Sequence, residues 1–473
     1  MNRLLVSAAH KSSGKTTLCV GLCAALRARG EAVQPFKKGP DYIDPLWLGL
    51  AAGRPCYNLD PYLSDADEIR AEVRQRMHGA SLALVEGNKG LYDGLDLDGS
   101  NSNAALAALL GAPVVLVIDA RGMTRGIAPL ILGYQAFDPN VRIAGVILNQ
   151  LGGARHEAKL RAVIRHYTGV PVLGAVQHDE RMTIVERHLG LVPSNEADWA
   201  CSRIAEIAAL VAAQIDLDGV LAVARQAGPL PAGTRAPGAS APTAGAARGA
   251  PVRVGIARDS AFGFYYPGDL DALRSAGAEL VAFDALRDTS LPEVDGLFIG
   301  GGFPETHMDA LAANSGLRAD LRAAIDAGLP AYAECGGLMY LARSIEWNGR
   351  LAEMVGALPA DIVMHARPVG RGYVHLRETG RGLWPAPQPR EAALIRAHEF
   401  HYSSVENLPP DTRFAYAVER GYGIDGRHDG IVHRNLLASY AHLRDVAGNR
   451  WALRFVEFIR RCEWKRPASQ AVV

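Results

Sequence analysis

Two short stretches of the sequence carry residues that could do chemistry. The first, AAHKSSGKTT at residues 8–17, places Gly14, Lys15 and Thr16 between an apolar run and a helix-like run. Loop amides and a helix N-terminus can face an anion there, Lys15 adds positive charge, and Thr16 can ligate Mg²⁺. Ala9 stands where the usual phosphate-loop pattern has its first glycine, so a solvated turn is the alternative. The strand-like and helix-like flanks favour nucleotide binding.

Acidic residues for a metal occur in the same half of the chain. The segments PFKKGPDYIDP (35–45) and VEGNKGLYDG (85–94) both begin where an apolar run ends. Ligands of open α/β sheets bind at such strand ends, so we expect Asp44 and Glu86 to approach Thr16 and to share one Mg²⁺. Taken singly, each of these residues could equally be a surface polar group in a turn.

The remaining polar residues of these segments have less defined roles. Lys37 and Lys38 could hold the γ-phosphate of a nucleotide, because an ammonium group complements phosphate charge. Asp41 and Tyr42 could face either the nucleotide or the molecule that accepts its phosphoryl group. Position in the sequence does not separate these two roles.

The second stretch, AECGG at residues 333–337, places Cys335 after an apolar run and before a helix-like run. Such an elbow exposes a thiol at a helix N-terminus, where the next amide, that of Gly336, can donate to an oxyanion. A lone cysteine is more often a small buried hydrophobe, so a partner matters. His442 follows another apolar run, and the loop GGGFPE at 300–305 offers further backbone donors. Together they predict acyl transfer through a thioester.

Composition limits the classes of function. The chain has 473 residues, 49% hydrophobic and 21% charged, with a formal net charge of +0. A neutral chain has no global field for nucleic acid or anionic membranes, and we expect a small-molecule partner. Six scattered cysteines without CxxC pairs argue against a zinc site or a disulfide framework. No apolar run reaches the length of a membrane span. We therefore expect a cytoplasmic protein that binds neither nucleic acid nor membrane.

Element patterns predict two α/β domains. Apolar runs such as PVVLVIDA (113–120) are continuous rather than alternating, as in parallel strands covered on both faces. Helix-like segments lie between them, which is a doubly wound pattern. Residues 226–251 are almost all Ala, Gly, Pro, Ser and Thr, a composition typical of a flexible linker. The predicted domains are therefore 1–225 and 252–465, with a tail at 466–473.

The motifs together resemble a known family. The C-terminal half is similar to a class I (triad-type) glutamine amidotransferase domain with a flavodoxin-like fold, and the N-terminal half resembles a P-loop domain of the dethiobiotin synthetase type. The whole chain resembles the cobyrinic acid a,c-diamide synthase family. The motifs that carry this resemblance are GKTT (14–17), KKGPDYIDP (37–45), EGNKGLYDG (86–94), DGLFIGGGFPE (295–305), ECGGLMYL (334–341), HEFHYS (398–403) and SYAHL (439–443).

The resemblance implies a glutamine-hydrolysing carbon–nitrogen ligase of cobalamin biosynthesis. ATP and Mg²⁺ would activate the a- and c-acetate carboxylates of a tetrapyrrole, cobyrinic or hydrogenobyrinic acid, as acyl phosphates. Ammonia made from L-glutamine would then displace the phosphate. The resemblance leaves a homodimer open.

On this basis each candidate residue has an expected role. Cys335 would be the nucleophile and His442 the base, with the amides of Gly302 and Gly336 as oxyanion donors. Thr16, Asp44 and Glu86 would hold the metal. The expected ATP contacts are Ser12, Ser13, Gly14, Lys15, Thr16, Thr17 and Lys37. The expected acceptor contacts are Asp41, Tyr42, Lys38 and Tyr92.

Three departures from the family pattern concern specificity and the triad. Lys38 stands in FKKGPD where the family usually has valine, and Asn88-Lys89 replaces an apolar pair, so siroheme, the substrate of relatives linked to sulfur oxidation, is an alternative acceptor. Arg444 stands two residues after His442, where many triad enzymes have Glu. The third triad member is therefore unassigned, with Glu334 and Asp445 as candidates.

Other classes of function predict different behaviour. A regulatory P-loop ATPase with an inactive amidotransferase domain would hydrolyse ATP without glutaminase activity. A cysteine peptidase on the same elbow would ignore ATP, and a ligase using free ammonia would not need Cys335. The histidines of HEFHYS, at 398 and 401, have i, i+3 spacing but no evident third ligand, which favours a structural or acceptor-facing role over zinc.

Overall fold

The computed structural model describes residues 1–187, 190–196, 198–232, 250–385, 394–462 and 464. The chain forms two compact units, Met1–Ser240 and Ala241–Val473. Residues 233–249 of the predicted linker and the whole predicted tail lie outside the described residues, so the domain boundaries stay a prediction. Among the helices of the described ranges, none combines the length and apolar character needed to cross a bilayer.

The first unit alternates strands and helices along most of its length. Its strands are β1 (Arg3–Ala8), β2 (Val33–Lys38), β3 (Tyr57–Leu59), β4 (Leu82–Glu86), β5 (Val114–Asp119), β6 (Ile143–Leu151), β7 (Val172–Gln177), β8 (Glu186–Arg187) and β9 (Gly190–Leu191). Its helices are α1 (Lys15–Ala28), α2 (Ile43–Ala52), α3 (Ala66–Arg76), α4 (Asn103–Leu110), α5 (Ile127–Phe137), α6 (Ala154–Tyr167), α7 (Ala200–Gln214) and α8 (Leu217–Arg225), with a 3₁₀ turn at Glu180–Met182.

A parallel sheet forms the centre of this unit. In the described residues it has seven strands in the order β3-β2-β4-β1-β5-β6-β7, and every pairing is parallel. Helices α1, α2, α7 and α8 pack on one face, and α3, α4, α5 and α6 pack on the other. Because both faces are covered, β1 and β5 are buried along their whole length. The predicted doubly wound α/β fold is confirmed.

The second unit has more strands. They are β10 (Val252–Ala257), β11 (Phe262–Phe264), β12 (Ala278–Phe283), β13 (Gly296–Ile299), β14 (Gly301–Gly302), β15 (Ala331–Glu334), β16 (Ser344–Trp347), β17 (Arg350–Glu353), β18 (Asp361–Met364), β19 (Gly370–Glu378), β20 (Ile395–His401), β21 (Ser403–Glu406), β22 (Arg413–Arg420), β23 (His428–His433) and β24 (Leu436–Ser439). The helices are α9 (Pro267–Ser275), α10 (Met308–Ala313), α11 (Ser315–Asp326), α12 (Gly336–Leu341) and α13 (Trp451–Arg461), with a 3₁₀ turn at Pro304–His307.

Its main sheet is mixed. Across the described part of this unit the order is β12-β10-β13-β15-β24-β23-β22-β19-β20, parallel as far as β24 and antiparallel beyond it. An antiparallel bridge between His398 and His442 also brings edge strand β20 back to the segment that follows β24. A smaller sheet has the order β17-β16-β18-β21. The parallel α/β half is as predicted, and the antiparallel half is an addition to it.

Candidate functional site

The predicted phosphate loop connects β1 to α1, and hydrogen bonds from Asn149 and Tyr134 fix its backbone. Ser12 and Gly14 both have positive φ angles, 64° and 81°. A Cβ atom on Gly14 would lie 2.3 Å from Asn149 Nδ2, so glycine is required there. Asn149 Nδ2 donates to the Ser13 carbonyl at 2.9 Å, and the Tyr134 hydroxyl donates to the Ala9 carbonyl. These contacts fix the loop at the N-terminus of α1, an arrangement suited to an anion.

A partly buried polar cluster lies beside this loop. Thr16 Oγ1 donates to Glu86 Oε1 at 2.6 Å and to Asp44 Oδ2 at 3.2 Å. Lys37 Nζ pairs with Asp44 and lies 3.1 Å from Glu86 Oε1 and 3.7 Å from Asp41 Oδ2. Lys37 and Glu86 are register partners on the parallel strands β2 and β4, so their side chains leave the sheet on the same side. The strand ends therefore converge as the sequence predicted.

Burial and mutual repulsion perturb the carboxyl groups of this cluster. Burial, together with the nearby Asp44 charge, raises the pKa of Asp41 to about 7. Burial also raises the pKa of Glu86. At Asp44 burial acts in the same direction, but the Lys37 charge and the side-chain hydrogen bonds to Lys37 and Thr16 together outweigh burial and lower the pKa. Burial alone would lower the pKa of Lys37, but Asp44 and Glu86 raise it well above its ordinary value. An added cation would stabilise these carboxylates together.

The cluster suits Mg²⁺ bound together with a nucleotide. Glu86 Oε2 is buried and lacks a hydrogen-bond partner in the described part of the protein. No group of three or more His, Cys, Asp or Glu side chains within the described ranges could hold a metal. Mg²⁺ in nucleotide sites, however, takes only one or two carboxylates and completes its shell with phosphate and water. Thr16 Oγ1, Asp44 and Glu86 fit that donor set.

The residues predicted to contact the acceptor do not all gather here. Asp41 joins the cluster, since its Oδ1 also accepts from the Asp44 amide at 3.1 Å. Lys38 points to the other face of β2 and donates to the carbonyl and side-chain oxygens of Asn101, at 2.5 and 2.9 Å. Burial lowers its pKa to about 8. Tyr92 donates to the carbonyl of Tyr134 on α5 at 2.6 Å.

The remaining residues predicted to bind ATP or the acceptor lie along the two segments already described. Ser12 and Ser13 are in the loop, Lys15 and Thr17 belong to the first turn of α1, and Tyr42 is the N-cap of α2. Burial lowers the pKa of Lys15, which lies beside Glu86 and Asp44. The structure thus brings Lys15, Thr16, Asp41, Asp44 and Glu86 close to one another, while Lys38 and Tyr92 lie outside that group.

In the second unit, Cys335 occupies a strained elbow. It has φ 47° and ψ −104° and connects the central strand β15 to helix α12. A Cβ atom on Gly337 would lie 2.2 Å from the Ile299 carbonyl oxygen. Only glycine allows the helix to start this close to β13. Strain held by such packing is typical of functional sites.

His442 is the imidazole partner of Cys335. It is buried, hydrogen-bonds to the Cys335 side chain, and its Nδ1 lies 3.2 Å from Glu334 Oε2. Burial alone would lower the pKa of His442, but the bonds to Cys335 and Glu334 outweigh burial and raise the pKa to about 10. Because Nδ1 faces the carboxylate, Nε2 is left to face the thiol. This is the geometry of a thiol activated by a base.

The predicted oxyanion donors lie against the elbow. A Cβ atom on Gly336 would be 2.8 Å from the amide nitrogen of Gly302, so the two backbones touch. A Cβ on Gly301 would be 2.8 Å from His442 Cε1, and one on Gly302 would collide with the Ala261 carbonyl at 1.9 Å. The glycines are therefore needed for close approach, and they put two backbone segments at the thiol.

The two candidates for the third triad position differ in their contacts. Glu334 Oε2 lies 3.2 Å from His442 Nδ1. The Asp445 carboxylate instead accepts from Arg450 Nη1 at 3.1 Å and from the Ala452 amide at 3.0 Å. Arg444 stacks over the Tyr266 ring at 4.1 Å. Of the two candidates, the structure places Glu334 at the imidazole.

The two histidines of HEFHYS, His398 and His401, make different contacts. His398 pairs with His442 through the backbone, where the His442 amide donates to the His398 carbonyl at 2.7 Å. Burial and the nearby His442 lower the pKa of His398 to about 3. His401 stacks on Tyr440 at 3.7 Å, and its Nδ1 lies 2.8 Å from the Ser403 carbonyl. Residues 398 and 401 thus support the backbone around His442 from different sides.

Sequence patterns did not identify several residues that support the two sites. Asn149 holds the phosphate loop, and its only signal is a polar residue ending an apolar run. Asp429 accepts from the amides of Tyr440 and Ala441, at 3.0 and 2.9 Å, and so sets the turn that presents His442. Asn103 Nδ2 donates to Ser7 Oγ at 3.0 Å. The Asn149 and Asn103 contacts span 136 and 96 positions, which local patterns do not reveal, whereas those of Asp429 span 11 and 12.

Comparison with known proteins agrees with both halves. Residues 5–192 match the CobQ/CobB/MinD/ParA nucleotide binding domain family, and residues 253–448 match the CobB/CobQ-like glutamine amidotransferase domain family. A curated protein of Magnetococcus marinus is 48% identical over 97% of both chains. Relatives from Methanosarcina barkeri and Archaeoglobus fulgidus are 41% and 40% identical, covering 97% and 96% of this chain and 96% and 97% of their own. All three are named cobyrinate a,c-diamide synthase.

Proposed function

The chain belongs to the cobyrinate a,c-diamide synthase family, and from this premise we propose that it activates tetrapyrrole acetate carboxylates with ATP and amidates them with ammonia from glutamine. It is a glutamine-hydrolysing carbon–nitrogen ligase. Cobyrinate, at its a and c acetates, is the acceptor that the names of the relatives support. Hydrogenobyrinate is the metal-free form of the same acceptor class.

The first unit would carry out carboxylate activation. A carboxylate is a poor electrophile because its leaving group would be oxide, whereas an acyl phosphate offers phosphate as a leaving group. An acceptor oxygen would attack the γ-phosphorus, giving an acyl phosphate and ADP. The loop amides and Lys15 would bind the phosphates, and Lys37 would offset the charge on the transferred group. Thr16, Asp44 and Glu86 would hold Mg²⁺, which would neutralise phosphate charge when bound.

The second unit would make ammonia. With its raised pKa, His442 would hold the thiol proton on Nε2, and Cys335 Sγ would attack the side-chain amide carbon of glutamine as a thiolate. The amides of Gly302 and Gly336 would bind the resulting oxyanion. His442 would return the proton to the leaving nitrogen, which departs as ammonia and leaves a thioester on Cys335. Water would then release glutamate and restore the thiol.

The two half-reactions balance. Ammonia would attack the acyl carbon and expel inorganic phosphate, and each round would consume one ATP, one glutamine and one water. Free ammonia is mostly protonated at neutral pH, so local release would supply the nucleophilic form. The observation that carries the proposal is that one chain holds both a partly buried Thr16–Asp44–Glu86 cluster at a phosphate loop and a Cys335–His442 elbow.

Siroheme is the second candidate acceptor. The observation that favours it is the charge beside the activation cluster, where Lys38 and the exposed Lys89 replace residues that are apolar in the family pattern. Burial, and to a smaller extent the like charge of Lys89, lower the pKa of Lys38, so the two cations lie within electrostatic reach of each other. A differently placed carboxylate could pair with Lys89.

Mass spectrometry of the products would test the proposal. Purified protein would receive ATP, Mg²⁺, glutamine and, separately, cobyrinic acid, hydrogenobyrinic acid or siroheme. A corrin diamide formed only with both co-substrates is the expected product. Amidation of siroheme alone would keep the mechanism and change the acceptor. ATP hydrolysis with no amide on any acceptor would instead favour a regulatory ATPase.

A further inference from the structure

We propose that Glu334 is the positioning residue for His442, so that the orienting carboxylate comes from the residue directly before the nucleophile. The inference rests on the proposed glutaminase role of Cys335 and His442 and adds a residue to that site. In other triads an acidic residue orients the base through the nitrogen that does not face the nucleophile. Here that acid would lie on β15 rather than after the histidine.

The first step concerns how Glu334 is aimed. Its side chain is 3% exposed at the carboxyl end of a central strand. Oε1 accepts two hydrogen bonds, from the Tyr332 hydroxyl at 2.5 Å and from the Leu443 amide at 2.9 Å. Burial and the Glu334 charge raise the pKa of Tyr332 well above its usual range, so this hydroxyl remains a donor. With Oε1 fixed by two donors, Oε2 is directed at His442 Nδ1.

The second step concerns the tautomer of His442. A carboxylate only accepts hydrogen bonds, so the 3.2 Å contact places the hydrogen on Nδ1. Whenever the ring carries a single proton, the lone pair of Nε2 therefore faces the thiol, as a base requires. The bond from the Leu443 amide fixes the chain next to His442 through the same carboxylate. Glu334 thus sets both the ring tautomer and the path of the backbone.

The third step excludes the other carboxylates near the imidazole. Asp445 is bound by Arg450 and the Ala452 amide, and Asp429 by the amides of Tyr440 and Ala441. Asp269 accepts from the Asp445 amide at 3.0 Å and from Trp451 Nε1 at 3.3 Å. Each of these groups supports the backbone. Among these four carboxylates, Glu334 is the one that contacts the His442 ring.

The elbow explains how adjacent residues serve one imidazole. Neighbouring side chains of a strand normally point to opposite faces. Cys335 leaves the strand with φ 47°, which turns its thiol back toward the ring that Glu334 also contacts. The unusual backbone therefore has a role beyond exposing the nucleophile, because it brings two consecutive side chains to His442.

The test is Glu334→Gln, which keeps an oxygen for Tyr332 and Leu443 but turns the group facing Nδ1 into a donor. That change favours the wrong tautomer, and loss of an orienting carboxylate in a comparable triad costs about 10⁴-fold in kcat. We expect the glutaminase kcat to fall by about 10²- to 10⁴-fold while the KM for glutamine changes little. Amidation supported by ammonium salts should remain, because the first unit is untouched.

Glu378→Gln is the matched control. Glu378 lies on β19, is also partly buried, and accepts from Arg454 Nη2 at 2.6 Å. This variant should keep its glutaminase kcat. Glutaminase in Glu334→Gln within about twofold of the Glu378→Gln value would overturn the proposal, given that a true loss is orders of magnitude larger.

A measurement on the unaltered protein keeps the proposal testable even if Glu334→Gln does not fold. Nitrogen chemical shifts of His442, followed to a pH at which the ring has lost one of its two protons, should show that the remaining proton is on Nδ1. Cys335, Glu334 and His398 are the groups that face this ring, and the bonds to Cys335 and Glu334 raise its pKa to about 10. An Nδ1 without a proton would overturn the assignment. Wild-type protein without any glutaminase would instead contradict the proposed function.

Discussion

At the residue scale, Lys37 is the group on which the first site depends. Its side chain is 3% exposed, and its ammonium contacts three carboxyl groups, those of Asp41, Asp44 and Glu86. In the arrangement described here it supplies the charge that a metal would supply with a nucleotide bound. Lys37 and Mg²⁺ should therefore compete for the same carboxylates.

Lys37→Met tests this competition without any need for activity. Removing one partner of a buried ion pair costs about 3–5 kcal/mol, so the variant should unfold at lower temperature in the absence of Mg²⁺. Added Mg²⁺ should stabilise the variant more than it stabilises the wild type, because the carboxylates are no longer neutralised. Thermal unfolding with and without Mg²⁺ measures both effects.

Lys159→Met provides the control, since Lys159 is an exposed lysine on α6. Its unfolding temperature and its response to Mg²⁺ should match the wild type. If Lys37→Met and Lys159→Met behave alike, the cluster does not couple Lys37 to the metal site.

At the element scale, the turn between β1 and α1 shows what a strand-loop-helix unit requires. Gly14 and Gly30 both have positive φ, 81° and 90°. Around Gly14 a Cβ would meet Asn149, whereas around Gly30 it would meet nothing within 4 Å. An alanine at position 30 would therefore introduce backbone strain alone, whereas an alanine at position 14 would add a steric clash with Asn149.

Gly14→Ala and Gly30→Ala form a matched pair. Both should lose about 1–2 kcal/mol of unfolding free energy, because a left-handed conformation is strained for alanine. Only Gly14→Ala should also weaken ATP binding, by about tenfold or more, because it displaces Asn149 and the loop. Urea titration and calorimetric ATP binding give the two quantities. Equal ATP affinity in both variants would argue against a rigid loop.

The packing of α9 gives a pH prediction. Burial raises the pKa of Asp269 to about 7 in the folded protein, against about 4 in an unfolded chain. Since the folded state then holds its proton more tightly, this group's stabilising contribution is present below about pH 4 and is lost as pH rises toward about 7. Asp269→Asn should remove that part of the pH dependence.

Urea unfolding midpoints measured from about pH 4 to pH 7 check the sign of this pH dependence of stability. The stability of the wild type relative to Asp269→Asn should decrease as pH rises. Asp271→Asn, a change at an exposed ion pair on the same helix, should follow the wild type. A wild-type advantage that grows with pH would contradict the assignment.

Sequence patterns predicted these elements unevenly. The strand-end rule placed Asp44 and Glu86 beside Thr16 because parallel strands share one carboxyl edge. The same rule did not separate Lys38 from the Lys37 cluster, because adjacent strand residues point to opposite faces and the register was unknown. The Glu334–His442 contact spans 108 positions and depends on β15 pairing with β24, which no local period encodes.

At the scale of the whole molecule, the two compact units correspond to the two proposed half-reactions, carboxylate activation and ammonia release. The first unit combines a phosphate loop with a carboxylate cluster, and the second combines a strained thiol with an imidazole and close backbone amides. The doubly wound halves follow from continuous apolar runs. The antiparallel strands β19, β20, β22 and β23 were not predicted, because their alternating exposure is irregular and their pairing brings distant segments together.

The measurement that tests the central claim most directly is the nitrogen-donor dependence of amidation in Cys335→Ala. The variant and an exposed-cysteine control, Cys201→Ala, would receive ATP, Mg²⁺ and cobyrinic acid with either glutamine or ammonium salt. We predict that Cys335→Ala forms the diamide with ammonium but not with glutamine, whereas Cys201→Ala uses both. Glutamine-supported diamide formation by Cys335→Ala at the control rate would contradict the account.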